Sequence, residues 1–192
     1  MRNLLIKGWT RLALIKAATG KYLFGIGYVC RLLTRCHPRL TGALLLKYGG
    51  KVGKGIHFKS PLFLDNVFGD QDATYDFSRL QIGDRCFIGS GVFFDLPDEV
   101  VLEAECIVGP GVRFITHQDT GGRMLGRWYP RKKAPIRVGQ GSWIGAGAIL
   151  LHGVELGKCC VVGAGAIVRD SFPDYSVVAG VPARLIKTLP DE

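Results

Sequence analysis

From Val138 onward an aliphatic residue returns at every sixth position: Val138, Ile144, Leu150, Leu156, Val162 and Val168. Glycine follows at once at 139, 145, 157 and 163, and the fifth position of each hexad is small or medium: Ser142, Ala148, Val154, Cys160 and Ala166. An upstream block repeats the pattern with Ile82, Ile88 and Phe94, then Leu102, Val108 and Phe114. The phase slips by two residues between Phe94 and Leu102, so "DLPDEVV" holds a local insertion. A helix needs apolar residues near a period of 3.6 and an ordinary strand near 2, and a sustained six matches neither. It suits short extended segments, each turned by glycine or a polar residue and stacked so that equivalent hexads lie above one another. Such a coil buries a continuous aliphatic column, each large side chain contributing about 1.5–3 kcal/mol. Cys86, Cys106 and Cys160 occupy fifth positions, where a small, weakly polar filler suffices.

The charge is as unevenly distributed as the repeat. The chain has 192 residues and a formal net charge of +9, yet no Asp or Glu precedes Asp65, while residues 1–64 hold 12 Lys/Arg. The remaining residues carry 13 basic against 16 acidic side chains, so the basic character belongs to the front third. Six cysteines show neither C-x-x-C nor zinc-finger spacing, which predicts a reduced, cytoplasmic chain. "GAGA" lacks the dinucleotide-fold spacing and "GGKVGKG" lacks that of a phosphate loop.

The pattern of an aliphatic residue, glycine and a small fifth position resembles the hexapeptide repeat of left-handed β-helix acyltransferases. The stretch "VGQGSWIGAGAILLHGVELGKCCVVGAGAIVRD…VVAGVPARLIK" is similar to the C-terminal coils of galactoside/maltose and xenobiotic O-acetyltransferases. The resemblance implies an all-β fold, a left-handed parallel β-helix assembled as a homotrimer, with acetyl-CoA in the groove between subunits and no metal. It implies a catalytic base at His117, where "VGPGVRF" completes a hexad, "ITH" follows, and the repeat lapses for 24 residues between Phe114 and Val138. Neutral imidazole within reach of an alcohol can take its proton as the C–O bond forms, a contribution of about 10²–10⁴ in rate. Asp95 and Ser90 match positions that meet the acceptor, with a structural turn residue as the alternative for Asp95, and relatives commonly have Asn where Ser90 stands. Ala146 and Ala164 match positions beside the pantetheine arm. Arg169, Arg184 and Lys187 resemble the basic residues that meet the CoA phosphates. Trp143 is expected at a trimer seam or beside the cofactor, with core filling as the alternative. The zinc-binding carbonic-anhydrase branch needs an H-x-x-x-x-H pair plus a third His, a spacing that His37, His57, His117 and His152 do not provide. His152 reads as structural.

Three segments are expected: residues 1–47 as a helical, membrane-associating front, 48–187 as the acyltransferase coil with a projecting loop at 118–134, and 188–192 as a tail. The front combines nine Lys/Arg with Leu4, Leu5, Ile6, Trp9, Leu12, Leu14 and Ile15, and has no apolar run long enough to span a bilayer. Two or three short helices are expected, broken near Gly20 and at His37-Pro38. Leu5, Trp9 and Leu12 share a helical face, while Ile6 and Leu14 stray from it. Two readings stand for this front: peripheral binding to the inner membrane surface, with Trp9 and Tyr22 as anchors, or packing against the coil or a protein partner. Nucleic-acid binding finds no recognisable module. Arg123, Arg127, Arg131, Lys132, Lys133 and Arg137 in the loop are candidates for covering the site, touching a phosphate on the acceptor, or facing the membrane. The expected activity is acetyl transfer from acetyl-CoA to a sugar hydroxyl of a membrane-linked glycan or polysaccharide precursor. Alternatives are N-acetylation of an amino sugar, acetylation of a small-molecule alcohol, and a non-catalytic scaffold at a membrane.

Overall fold

The computed structural model describes residues 2–191, without the side chains of residues 2–7. The sequence expectations for Leu4, Leu5 and Ile6, and the last tail residue Glu192, therefore lie outside the described residues.

Each hexad forms one short strand and one corner, and successive coils stack into three parallel sheets. Sheet A joins Lys51–Val52, Leu80–Ile82, Val100–Leu102, Ile136–Val138 and Glu155–Leu156. Sheet B begins at His57–Phe58, passes through Phe87–Ile88, Ile107–Val108, Trp143–Ile144 and Val161–Val162, and ends with Ser176–Gly180 and Ala183–Thr188. Sheet C joins Leu62–Asp65, Val92–Asp95, Arg113–Ile115, Ile149–Leu151 and Ile167–Val168. All pairings within the three sheets are parallel except the last in sheet B, where the C-terminal strand turns back antiparallel and finishes the coil. Residues 188–191, read as tail, begin within that strand.

The six-residue column lies inside the prism as the repeat requires. Ile82, Ile88, Phe94, Leu102, Val108 and Phe114 are 0–1% exposed, and Val138 through Val168 at every sixth position are 0–3% exposed. Phe94 and Phe114 stack with ring centroids 5.0 Å apart and planes 6° from parallel. Glycine after each aliphatic residue lets the next coil approach: a Cβ on Gly145 would lie 2.5 Å from the Ala164 nitrogen. Cys86, Cys106 and Cys160 fill the narrow fifth positions, and all six cysteines are free thiols.

Three helices close the N-terminal end of the coil. Helix α1 spans Arg2–Phe24, α2 Ile26–Leu33 and α3 Pro38–Lys47. The expected break at Gly20 is corrected: α1 runs through it and ends at Gly25, whose φ of 69° stops the helix. Gly20 is a packing residue instead, because a Cβ there would lie 2.1 Å from the Tyr28 ring of α2. The break at His37-Pro38 is present; the His37 side chain accepts from the Arg39 N–H, and Pro38 occupies the first helical position, where it has no N–H to waste. Helices α2 and α3 bury Val29, Leu33, Leu40, Leu44 and Leu45 in one core with Phe58, Leu62 and Leu80. Leu14, which strays from the outer face of α1 on a helical wheel, packs against this same core. Packing on the coil is thus established for α2 and α3, as the second reading of the front end had it.

Burial predicts the thiol chemistry. It pushes the Cys30 thiol up to about 11, and Cys30, Cys86, Cys106 and Cys160 are at most 8% exposed. Titration of the native protein with an aromatic disulfide reagent is expected to modify only Cys159 and Cys36, with Cys36 the slower because burial raises its thiol too, and all six after denaturation. Rapid reaction of more than two native thiols would contradict the stacked core.

Candidate active site

The long insertions in the repeat all fall at the corner between sheets C and A, at residues 66–79, 96–99 and 116–135. They are interlocked. The Arg79 guanidinium donates to the carbonyls of Asp72, Leu96 and Pro97, and Lys133 Nζ donates to the Pro97 carbonyl. The projecting loop starts as an antiparallel pair, His117–Gln118 with Lys132–Lys133, and carries a single helical turn at Met124–Arg127.

At the root of that loop lies a buried carboxylate. Asp95 ends its sheet C strand and is 2% exposed. Its Oδ2 accepts from the Thr116 N–H at 2.9 Å and lies 2.7 Å from His117 Nδ1. Its Oδ1 accepts from Asn66 Nδ2 at 2.6 Å. The Thr116 hydroxyl adds a bond to the Asp95 carbonyl oxygen at 3.0 Å. An ionised carboxylate only accepts, so Nδ1 carries the proton, and neutral His117 presents Nε2 as its basic atom. Among the described residues Nε2 has no hydrogen-bond partner, and the His117 side chain is 19% exposed.

Asp95 therefore differs from its expected role. Its oxygens are occupied by Asn66, Thr116 and His117, and burial bars it from acceptor hydroxyls, so it orients the histidine. Asn66 was not foreseen. It holds a left-handed backbone at φ 55°, which Asn tolerates better than most residues, and it reaches Asp95 from one coil earlier.

The other predicted residues divide between two corners. Ser90, Ala146 and Ala164 stand in one column at the corner between sheets B and C, with Pro110 between them. Coil is joined to coil there by Gly111 N–H to Ser90 O at 2.9 Å and Gly165 N–H to Ala146 O at 2.8 Å. Gly147 and Gly165 take φ near 68°, and a Cβ on either would meet nothing within 4 Å. At the A-to-B corner Arg85, Glu105 and Cys159 adopt similar positive φ with full side chains. The backbone geometry alone thus does not require glycine, and the B-to-C corner forms a bare ledge. Ala146 and Ala164 are exposed, and their N–H groups have no partner among the described residues. Trp143, beside this ledge, is 53% exposed on the outer face of sheet B, which rules out core filling.

Within one chain the ledge and His117 lie at the two corners that bound sheet C, seven positions apart from Pro110 to His117, a reach of up to about 23 Å. Ser90 is therefore not brought to His117 in a single copy. Arg169 and Arg184 do converge, on Asp170, at 3.6 and 3.3 Å. Lys187 is exposed and forms no ion pair among the described residues. A concavity of about 640 Å³ lies on sheet A between Val101, Arg137, Glu155 and Phe172, away from both corners. Among the described residues no group of three or more His, Cys, Asp or Glu is placed to hold a metal ion. His152 Nε2 lies 3.5 Å from Gln118 Oε1.

Three of the six basic loop residues, Arg131, Lys133 and Arg137, are paired with carboxylates of this chain, which gives them a part in holding the loop in place. Arg131 contacts Asp70 at 2.7 Å, Asp72 at 2.9 Å and Asp119 at 2.6 Å; Lys133 contacts Asp72, and Arg137 contacts Glu99. The Asp72 carboxyl is held below the usual carboxylate range by hydrogen bonds from Arg131 and Lys133. That of Asp119 is held down by the Gly121 N–H and then by Arg131. Lowered folded values mean that the tether is fully present above the ordinary carboxylate pKa of about 3.9 and is lost as pH falls through the lowered values. With Trp9 and Trp143 replaced by Phe, fluorescence anisotropy of Trp128 is expected to stay constant down to about pH 4 and drop below it. Arg131→Met is expected to give the low value already at neutral pH; unchanged anisotropy in that variant would contradict the tether.

Comparisons with known proteins agree with this architecture. The family model described as bacterial transferase hexapeptide (six repeats) matches residues 135–170, and that described as hexapeptide repeat of succinyl-transferase matches 79–113. A probable acetyltransferase of Mycobacterium tuberculosis is 44% identical over 55 residues, 29% of this chain and 18% of its own length. Serine acetyltransferase 2 of Arabidopsis thaliana is 31% identical over 107 residues, 55% of this chain and 31% of its own length. The chain thus spans less than a third of the length of these two relatives. A hexapeptide-repeat acetyltransferase from Vibrio cholerae superposes with a TM-score of 0.73 at 23% identity, over 86% of this chain and 89% of that one. A maltose O-acetyltransferase from Clostridium difficile gives 0.72 at 22% identity, over 86% and 85%. The chain is a hexapeptide-repeat protein built on the fold of the hexapeptide-repeat acetyltransferases.

Proposed function

We propose that the protein is an acetyl-CoA-dependent O-acetyltransferase acting on a sugar hydroxyl, with His117 as general base. The observation that carries this reading is the buried Asp95 carboxylate 2.7 Å from His117 Nδ1, which leaves Nε2 free to accept a proton. The donor assignment is supported by the relatives, which are named acetyltransferases, and by the Vibrio cholerae neighbour, which has been solved with acetyl coenzyme A. The bare ledge at Ala146 and Ala164 has the shape to receive a slender pantetheine arm, and its unpaired N–H groups are donors for amide carbonyls. Arg169, Arg184 and Lys187 are the candidates for the CoA phosphates, with Asp170 releasing its arginines to them.

In the reaction the acceptor oxygen attacks the thioester carbonyl while Nε2 takes its proton. Asp95 stabilises the imidazolium that forms. The tetrahedral intermediate collapses with cleavage of the C–S bond, and the imidazolium proton passes to the departing thiolate, which regenerates neutral His117. No covalent acyl-enzyme is needed.

A homotrimer completes the site in this reading. The outer face of sheet B carries Ile107, Trp143 and Val161, and that of sheet C carries Phe63, Phe93 and Ile149 with Arg113 lying over the Phe93 ring, whereas sheet A presents Lys51, Gln81, Val101, Arg137 and Glu155. Two largely apolar faces meeting at the ledge suit threefold packing, which would bring the ledge of one copy to the His117 corner of the next. The sugar acceptor is supported by the maltose O-acetyltransferase neighbour. A small alcohol is the second reading, favoured by the match to a serine acetyltransferase over 55% of this chain.

The test is release of CoA thiol from acetyl-CoA with oligosaccharides, amino sugars and serine as acceptors. Turnover with a sugar is expected, with His117→Ala lowering kcat by about 10²–10⁴-fold while acetyl-CoA affinity measured by calorimetry is kept. Asp95→Asn is expected to lower kcat by about 10²-fold or more. Equilibrium sedimentation is expected to give three times the 20.9 kDa chain mass. Absence of acyl-CoA binding by the folded assembly would leave the non-catalytic scaffold in its place.

A further inference from the structure

Helix α1 is packed on one side only. Ala13, Leu14 and Ala17 join the core, Gly20 is buried against Tyr28, and Lys21 Nζ lies 4.9 Å over the Tyr48 ring. On the other side Leu12 is 67% exposed, Ile15 56%, Tyr22 89% and Leu23 60%. At about 100° of rotation per residue these four side chains fall in a single arc about 100° wide. Arg11 borders that arc on one side and Lys16 on the other, and both are exposed. Among the described residues neither takes part in an ion pair, and nor do Arg31, Arg35 or Arg39.

The helical front carries charge of one sign, since Asp65 is the first acid in the chain and 12 Lys/Arg precede it. Asp76, which lies near Lys21, stands on the packed side of α1, away from the stripe. A second copy laid on the stripe would bring the same cations of α1 together with no carboxylate of that helix to oppose them. An anionic headgroup layer offers what the stripe lacks, an apolar depth for four large side chains and phosphates for the two flanking cations. No helix among the described residues is long and apolar enough to cross a membrane. A helix packed on one side and apolar on the other can lie in the plane of the boundary.

We propose that the stripe formed by Leu12, Ile15, Tyr22 and Leu23, flanked by Arg11 and Lys16, seats the protein on an anionic bilayer surface. A protein held there meets acceptors carried on lipid, which narrows the sugar acceptor to a lipid-linked glycan. That narrowing rests on the acyl-transfer reading, whereas the lipid contact is tested without any turnover.

The experiment is flotation of the purified full chain with phosphatidylcholine vesicles, with and without about one-third phosphatidylglycerol. The wild type is expected to float with the anionic vesicles and about tenfold less with the neutral ones. Leu12→Gln with Ile15→Gln, and separately Arg11→Glu with Lys16→Glu, are each expected to lower the bound fraction about tenfold. Melting temperature and elution volume are expected to stay at wild-type values in both double variants. Leu125→Gln, in the projecting loop, is expected to float like the wild type. Wild-type protein that stays in the aqueous phase would overturn the proposal, as would double variants that float undiminished. A shift of the Leu12/Ile15 variant to a smaller assembly would also overturn it, because the stripe would then be a subunit contact.

Discussion

The close approach of one coil to the next is the constraint on which the rest of the molecule depends. Backbone N–H groups at the corners reach carbonyls of the neighbouring coil at 2.8–3.0 Å, as in Gly109 to Ile144 and Gly141 to Ala104. Such distances leave no space for a Cβ at Gly83, Gly109 or Gly145, where it would fall within 2.7 Å of the adjacent backbone. The hexad in the sequence is this rise written in residues. The site inherits the same rule, since Asn66, Asp95 and His117 come from three successive coils and meet because the coils are one strand spacing apart, about 4.8 Å.

Where the coil admits extra chain, it does so at one edge. The insertions at 66–79, 96–99 and 116–135 share the C-to-A corner, and Arg79, Arg131 and Lys133 tie them together. The B-to-C corner admits none in the coils that carry Ser90, Pro110, Ala146 and Ala164. A projecting segment needs a rigid footing if a histidine at its root is to keep its place, and the buried Asp95 carboxylate supplies it.

The repeat made the fold legible from Ile82 onward, because each hexad is a local pattern whose structural meaning does not depend on distant residues. His117 stands out by resemblance, just after a completed coil where the repeat lapses, and the structure sets it at the root of the projecting loop against Asp95. Asn66 was not, since it lies 29 residues from Asp95 where the repeat is faint. The tether from Arg131 to Asp70 and Asp72 spans about 60 residues and left only a cluster of acids, "GDQD", as its trace. Resemblance places Asp95 at the site, as an acceptor contact or a structural turn residue, and a resemblance does not report which of its lone pairs are already taken by Asn66, Thr116 and His117. Gly20 was read as a helix breaker on propensity, a cost of about 1 kcal/mol that tight packing against Tyr28 overrides.

The division of labour between corners has a consequence for how such a protein changes. Residues at the C-to-A edge can lengthen, shorten or exchange charge while the ladder through Ser90, Pro110 and Ala146 keeps its hydrogen bonds, because within one chain the strands of sheet C hold the two edges apart. One edge is thus free to vary in shape while the other is held to a fixed outline, and a lineage built on this coil can acquire new partners for its histidine without redesigning the ledge.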